Sequence, residues 1–112
     1  MFRVELREKI DQELAQGERA RQEGFEGRAR VCARRAAGTA IREYLRIKAI
    51  LSPGSSVVDL LEVLLVVEGI PGEVRQAAQR LLLRVDEDYS LPSDIDLLAD
   101  ARWLAQELER DC

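Results

Sequence analysis

Between Arg28 and Lys48 the chain places seven basic side chains (Arg28, Arg30, Arg34, Arg35, Arg42, Arg46 and Lys48) against one acid, Glu43. Arg30, Arg34, Arg42 and Arg46 fall at multiples of four residues, with Gly38 in the vacant place of the row. On a helix that spacing winds slowly along one face. Guanidinium forks hold phosphate oxygens bidentately, and a glycine lacks the side chain that would keep an anion off the backbone. The chemistry this row offers is a groove for nucleotide or RNA phosphates. The competing reading is a solvated face, partly paired with acids of neighbouring helices.

The acids Asp86, Glu87, Asp88, Asp94, Asp96 and Asp100 are the other concentration of charge. Carboxylates of this density serve divalent cations when they follow a calcium-loop spacing with its glycine, which is missing here. Their places at the end of one helix and the start of the next fit capping and the helix dipole better, so no metal is expected. Cys32 lies inside a helical stretch and reads as a small core residue, and Cys112 is the last residue. Two such cysteines make neither a disulfide framework nor a metal pattern. The chain has no histidine, which removes the usual general base and the commonest metal ligand. No catalytic constellation and no cofactor motif emerge, and the expectation is a protein that is not an enzyme.

At 112 residues, 46% apolar and 34% charged, the chain suits one globular domain over residues 1–112. The net charge of −4 argues against a dedicated nucleic-acid binder. It conceals a split: residues 1–51 carry twelve basic and eight acidic groups, and residues 52–112 carry five and thirteen. The amphipathic start and the absence of a long apolar run lead to an expectation of a cytoplasmic protein without a membrane segment.

Five amphipathic segments must position these residues. Phe2, Leu6, Ile10, Leu14, Gly17 and Ala20 share a face and predict a helix over 2–22. A second helix over 28–50 turns Ala29, Ala33, Ala36, Ala37, Ala40, Ile41, Tyr44 and Leu45 inward, small enough at its start for close approach of a neighbouring backbone. Mid-helix Gly38 costs up to ~1 kcal/mol against alanine, so something packs or binds over it. A third over 56–68 opens with Ser56 and Asp59 as a capping-box-like pair and is apolar nearly all round. Gly69 and Ile70 read as its C-cap, and Pro71 opens the fourth helix, over 71–87, with Val74, Ala77, Ala78, Leu81, Leu82 and Val85 inward. Ser93 or Asp94 caps a fifth over 94–110, with Leu97, Leu98, Ala101, Leu104, Ala105 and Leu108 as its stripe. Short turns between such segments predict an all-α, up-and-down bundle of about five helices. Leu83 and Trp103 fall off their stripes and, with the over-apolar third helix, mark a contact surface whose simplest occupant is a second copy, making a homodimer.

The run from Ala29 to Leu45 resembles the second helix of HEPN domains, an Ala-rich stretch passing into a basic segment that ends on leucine. Ser55-Ser56-Val57-Val58-Asp59-Leu60-Leu61 resembles that family's "HSLxxLL" start of the third helix, with Ser55 in place of histidine. Arg84 to Tyr89 is similar to its "RYPDAY"-type segment, and Asp100 to Ala105 to its closing "DAxxxLxxA" helix. The likeness spans about residues 27–110 in the family's order. It implies a HEPN-like bundle, often dimeric, associated with nucleotides, RNA or a small nucleotidyltransferase partner. Many family members cleave RNA without metal through an arginine followed shortly by histidine. That motif is impossible in a chain without histidine, so what the resemblance carries over is binding, at Arg34, Arg35, Arg42 and Arg84. The alternatives are an RNA-cleaving HEPN-type toxin of unfamiliar site, with Arg84 and Tyr89 assisting phosphate transfer, and a structural bundle with no ligand.

Overall fold

A computed structural model of the chain describes residues 1–52, 54–83 and 95–112. Among them are five helices and no strand: α1 (Val4–Gln22), α2 (Glu26–Ile47), α3 (Val57–Leu65), α4 (Gly72–Leu81) and α5 (Leu97–Asp111). The all-α bundle expected from periodicity is what forms.

α2 is the central element, packing against α1, α5 and α3, while α4 closes on α3 and α5. Its eight inward residues are all buried, and Ala29, Ala33, Ala36, Ala37 and Ala40 are fully enclosed. The small side chains do what their size allows. A Cβ added at Gly17 of α1 would stand 3.1 Å from Cys32 Cβ, 3.4 Å from the Ala29 carbonyl oxygen and 2.5 Å from Leu98 Cδ2 of α5. Gly17 therefore marks the place where three helices meet with no room for a methyl group. Leu14, Ile41, Leu60, Leu61, Leu64, Leu81, Leu97, Leu98, Leu104 and Leu108 form the body of the core and are almost wholly removed from solvent. Burial of each contributes about 1.5–3 kcal/mol.

Helix ends show where local chemistry decides and where tertiary contacts do. Ser56 Oγ accepts from the Asp59 N–H at 3.0 Å and starts α3 as its sequence predicts. Asp96, rather than Ser93 or Asp94, caps α5, accepting from the Ala99 N–H at 3.2 Å. Both α1 and α2 end in Schellman turns. After α1, Phe25 N–H bonds to the Ala20 carbonyl and Gly24 takes φ +87°. After α2, Ile50 N–H bonds to the Leu45 carbonyl and Ala49 takes φ +57°, so this helix closes at Ile47, three residues short of expectation. α3 stops at Leu65 rather than Glu68. Val66 and Val67 make tighter i→i−3 bonds to Val63 and Leu64, as β-branched residues ahead of a left-handed Gly69 favour. α4 ends at Leu81 rather than at residue 87. The predicted continuation through Val85 into Asp86, Glu87 and Asp88, with Asp94, lies outside the described residues.

One buried charge organises the N-terminal edge. Ala36, Ala40, Glu43 and Ile47 share a helical face, so Glu43 lies on the apolar stripe of α2 and is 1% exposed. Its carboxylate accepts five N–H bonds: Arg3 Nε, Nη2 and backbone N at 3.0, 3.1 and 3.4 Å, and Arg46 Nε and Nη2 at 2.7 and 3.1 Å. The Arg46 bonds outweigh the upward push of burial and, with those of Arg3, hold the carboxyl at about 2 against an ordinary 4.5. Phe2 N–H and Arg7 Nε bond to Glu109 Oε2 at 2.9 and 2.7 Å, which ties the same segment to α5.

Candidate functional site

The arginine row does not act as a unit. Arg34 turns towards α4, where Nε donates to the Leu81 carbonyl at 3.0 Å and Nη2 to the Leu83 carbonyl at 2.7 Å. Leu81 is the last residue of α4, so Arg34 satisfies an orphan acceptor of that helix end together with the Leu83 carbonyl just past the C-cap. Burial, reinforced by the nearby charge of Arg30, lowers its pKa. Arg46 is taken by Glu43. Of the arginines expected to bind, Arg35 and Arg42 are not so taken; they lie seven residues and therefore two turns apart on one face of α2, about 10.5 Å along the axis. Arg84 lies outside the described residues.

Arg35 and Arg42 meet two residues of α1 that sequence reasoning left aside. Lys9, Glu13, Arg35, Gly38, Thr39, Arg42 and Val57 line an open hollow of about 190 Å³ between α1, α2 and the start of α3. The register follows from contacts along the helix pair. Gly17 lies beside Cys32, Lys9 and Glu13 share the hollow with Arg35 and Arg42, and Arg3 reaches Glu43. As the position on α1 falls, its neighbour on α2 rises, so the two helices run antiparallel.

Arg42 Nη2 donates to the Ser55 carbonyl at 3.0 Å, fixing one arm of its fork to the turn before α3. Neither Lys9 nor Arg35 forms an ion pair among the described residues. Thr39 spends its hydroxyl proton on the Arg35 carbonyl at 3.1 Å and keeps lone pairs to accept with. Gly38 does not present bare backbone to an anion: a Cβ there would stand 2.9 Å from Val57 Cγ2. The glycine is needed because α3 packs on it, and Val57 becomes part of the floor. Glu13 is half-buried, and its Oε2 is enclosed with no hydrogen-bond partner among the described residues. An enclosed carboxylate oxygen without a donor is costly, more so than an exposed one.

The hollow thus carries three cations and one carboxylate, a net charge of +2. Its lining offers guanidinium, ammonium, carboxylate and hydroxyl groups, of which the guanidinium forks are suited to bidentate hydrogen bonding of an oxyanion.

The remaining predicted positions go elsewhere. Leu83 is 40% exposed and, with Arg34, Val57, Val58, Leu61, Leu81 and Leu82, lines a mainly apolar groove of about 530 Å³ beside α3 and α4. Val58 is 46% exposed along it. Trp103 is half-buried on α5 and packs against the hydrophobic core. Of the acids weighed for metal binding, Asp96 caps α5 and pairs with Arg21 at 3.0 Å, and Asp100 receives both arms of Arg80 at 2.9 and 3.0 Å. Burial pushes the Asp96 pKa up, but the Ala99 N–H and Arg21 together outweigh it. Among the described residues no cluster of three or more acidic or cysteine side chains is placed to hold a metal ion, and no helix is long and apolar enough to cross a membrane. Comparison of the chain with family models, with curated proteins and with solved structures finds no match.

Proposed function

We propose that this chain is a non-catalytic, HEPN-like binding protein that holds the phosphate of a nucleotide between α1 and α2. The observation that carries this reading is the convergence of Lys9, Arg35 and Arg42 on one hollow, with none of the three paired to an acid among the described residues and Arg42 held only by the Ser55 carbonyl. Uncompensated cations cost little on a solvated helix face, but three around a concavity repel one another. A dianionic phosphate relieves that repulsion and offers acceptors to both arginine forks. A nucleotidyltransferase partner, presenting a nucleotide or receiving one, fits the same chemistry.

The test is a thermal-denaturation screen against AMP, ATP, pyrophosphate and a nucleoside. A phosphate-bearing ligand at 100 times its dissociation constant adds about 2.7 kcal/mol to stability. The doubly substituted Arg35→Ala/Arg42→Ala protein loses that increment, and the nucleoside gives none in either protein. Equal stabilisation of both proteins by every compound rules the site out.

A second reading, self-association as a homodimer, draws on a different feature. The groove beside α3 and α4 leaves Val58 and Leu83 partly in water, and burying them against a second copy removes that apolar surface. Light scattering across micromolar concentrations decides it: a mass near twice 12.7 kDa supports the dimer, and a constant mass of one chain removes it.

A further inference from the structure

We infer that the hollow between α1 and α2 is one end of a longer track that holds a single-stranded nucleic acid, with Arg19 and Arg28 as a second phosphate subsite and Phe25 as a stacking surface for a base. This rests on the phosphate-binding reading and extends it: the bound phosphate is one link of a strand. A second open hollow of about 180 Å³ is lined by Gln16, Arg19, Ala20, Glu23 and Arg28. Lys9 and Glu13 of the first hollow and Gln16, Ala20 and Glu23 of the second follow one another at steps of four, three, four and three residues. They form one stripe of α1, so both hollows open on the same side of the helix pair. On α2, Arg28, Arg35 and Arg42 repeat every seven residues and share a face over about 21 Å of axis. Arg34 and Arg46 of the four-residue row are held by carbonyls and by Glu43, so the accessible row of α2 is this one.

Charge along the track is uncompensated. Lys9, Arg19, Arg28, Arg35 and Arg42 border it, and none forms an ion pair among the described residues, whereas seven basic side chains elsewhere do. Five cations against Glu13 and Glu23 leave a local +3 within a chain of −4. The acid excess belongs to residues 52–112, whose described residues supply only Val57 to the two linings. A row of cations of this length fits a chain of phosphates better than a single one. At roughly 3.4 Å per phosphate of a stacked strand, it spans about six nucleotides. Phe25, beyond Arg28, is 50% exposed, with the Arg28 guanidinium over its ring at 4.9 Å from the centroid. Exposed aromatic rings beside arginines are where bases stack in single-strand-binding proteins. An acidic helical peptide would dock through apolar anchors, and between these cations the linings offer little apolar beyond Ala20 and Val57.

Fluorescence anisotropy with labelled hexathymidylate, beside calorimetry with thymidine monophosphate, tests this on the wild type, Arg28→Ala, Arg19→Ala/Arg28→Ala and Phe25→Leu. The wild type is expected to bind the hexamer roughly tenfold or more above the mononucleotide. Its log K should fall against log salt with a slope of about −3.5, or 0.7 for each of five cations. Arg28→Ala lowers that slope by about 0.7, and both arginine variants weaken the hexamer while leaving the mononucleotide within twofold, which also shows that they fold. Phe25→Leu weakens the hexamer by roughly fivefold, the low end for one stacked base, with the salt slope unchanged. A hexamer that binds no tighter than the mononucleotide, or that ignores Arg19 and Arg28, overturns the track and leaves the phosphate site standing. Inorganic tripolyphosphate or polyglutamate binding as tightly as the hexamer, with no effect of Phe25→Leu, makes the ligand a bare polyanion and overturns the strand. Failure of both nucleotides to bind the wild type overturns the track and the phosphate site together.

Discussion

Replacing Glu43 with glutamine removes the charge from an acid that accepts five N–H bonds on the apolar face of α2. Its carboxyl lies at about 2 in the fold against an ordinary 4.5. At 1.36 kcal/mol per unit, the full shift corresponds to about 3 kcal/mol of stability at neutral pH. Arg3 and Arg46 are 57% and 56% exposed, so solvent screening brings the expected loss to about 2 kcal/mol. The sign follows from a depressed carboxylate: the contribution is complete above the unfolded value near 4.5 and fades as pH falls towards 2. Urea denaturation of wild type and E43Q at a series of pH values isolates it, because other carboxylates titrate in both proteins and cancel in the difference. The gap should be about 2 kcal/mol at pH 7 and nearly closed at pH 2. A gap of the same size at both ends would mean that glutamine disturbs packing rather than charge, and equal stability at pH 7 would refute the clamp altogether.

Three further substitutions test other links. Ala49 holds the left-handed position of the turn after α2 at φ +57°, where the turn after α1 has Gly24, so Ala49→Gly should raise stability by about 1 kcal/mol in thermal unfolding. Gly17→Ala should destabilise by about 1–2 kcal/mol despite its better helix propensity, since the new methyl group meets Leu98 and Cys32; urea unfolding reads it, and a more stable variant would show that α1 can shift outward freely. Arg34→Ala should cost about 1–2 kcal/mol through the lost bonds to the Leu81 and Leu83 carbonyls. It should leave nucleotide affinity within twofold, which a titration alongside Arg35→Ala checks.

The inward faces of α2 and α5 were readable from the sequence because burial on a helix repeats every three or four residues. All fourteen residues assigned to those two stripes are buried. Helix ends were readable where a local residue sets them, as at Ser56, which caps α3, and at Gly24, whose left-handed turn follows the end of α1 at Gln22. The carbonyl of Leu81, the last residue of α4, is taken by Arg34, 47 residues earlier, and no local pattern records such a contact. Glu43 left a trace that periodicity alone contains: it interrupts the apolar stripe of a basic helix three residues before Arg46. Half of the candidate site was visible as Arg35 and Arg42. Lys9 and Glu13 were not, since their i, i+4 spacing resembles any solvated helix flank and the register of α1 on α2 is set by Gly17 against Cys32 and Leu98. The regular row itself misled, because equal spacing along the helix says nothing about which guanidinium a neighbouring carbonyl or carboxylate has already taken.

A two-dimensional amide NMR titration of the isotopically labelled protein with AMP tests the central claim most directly. The account places the largest shift changes at Lys9, Glu13, Arg35, Gly38, Thr39 and Arg42, saturating together and weakening as salt is raised. Changes centred on Val58 and Leu83 instead, or none at millimolar AMP, would contradict it.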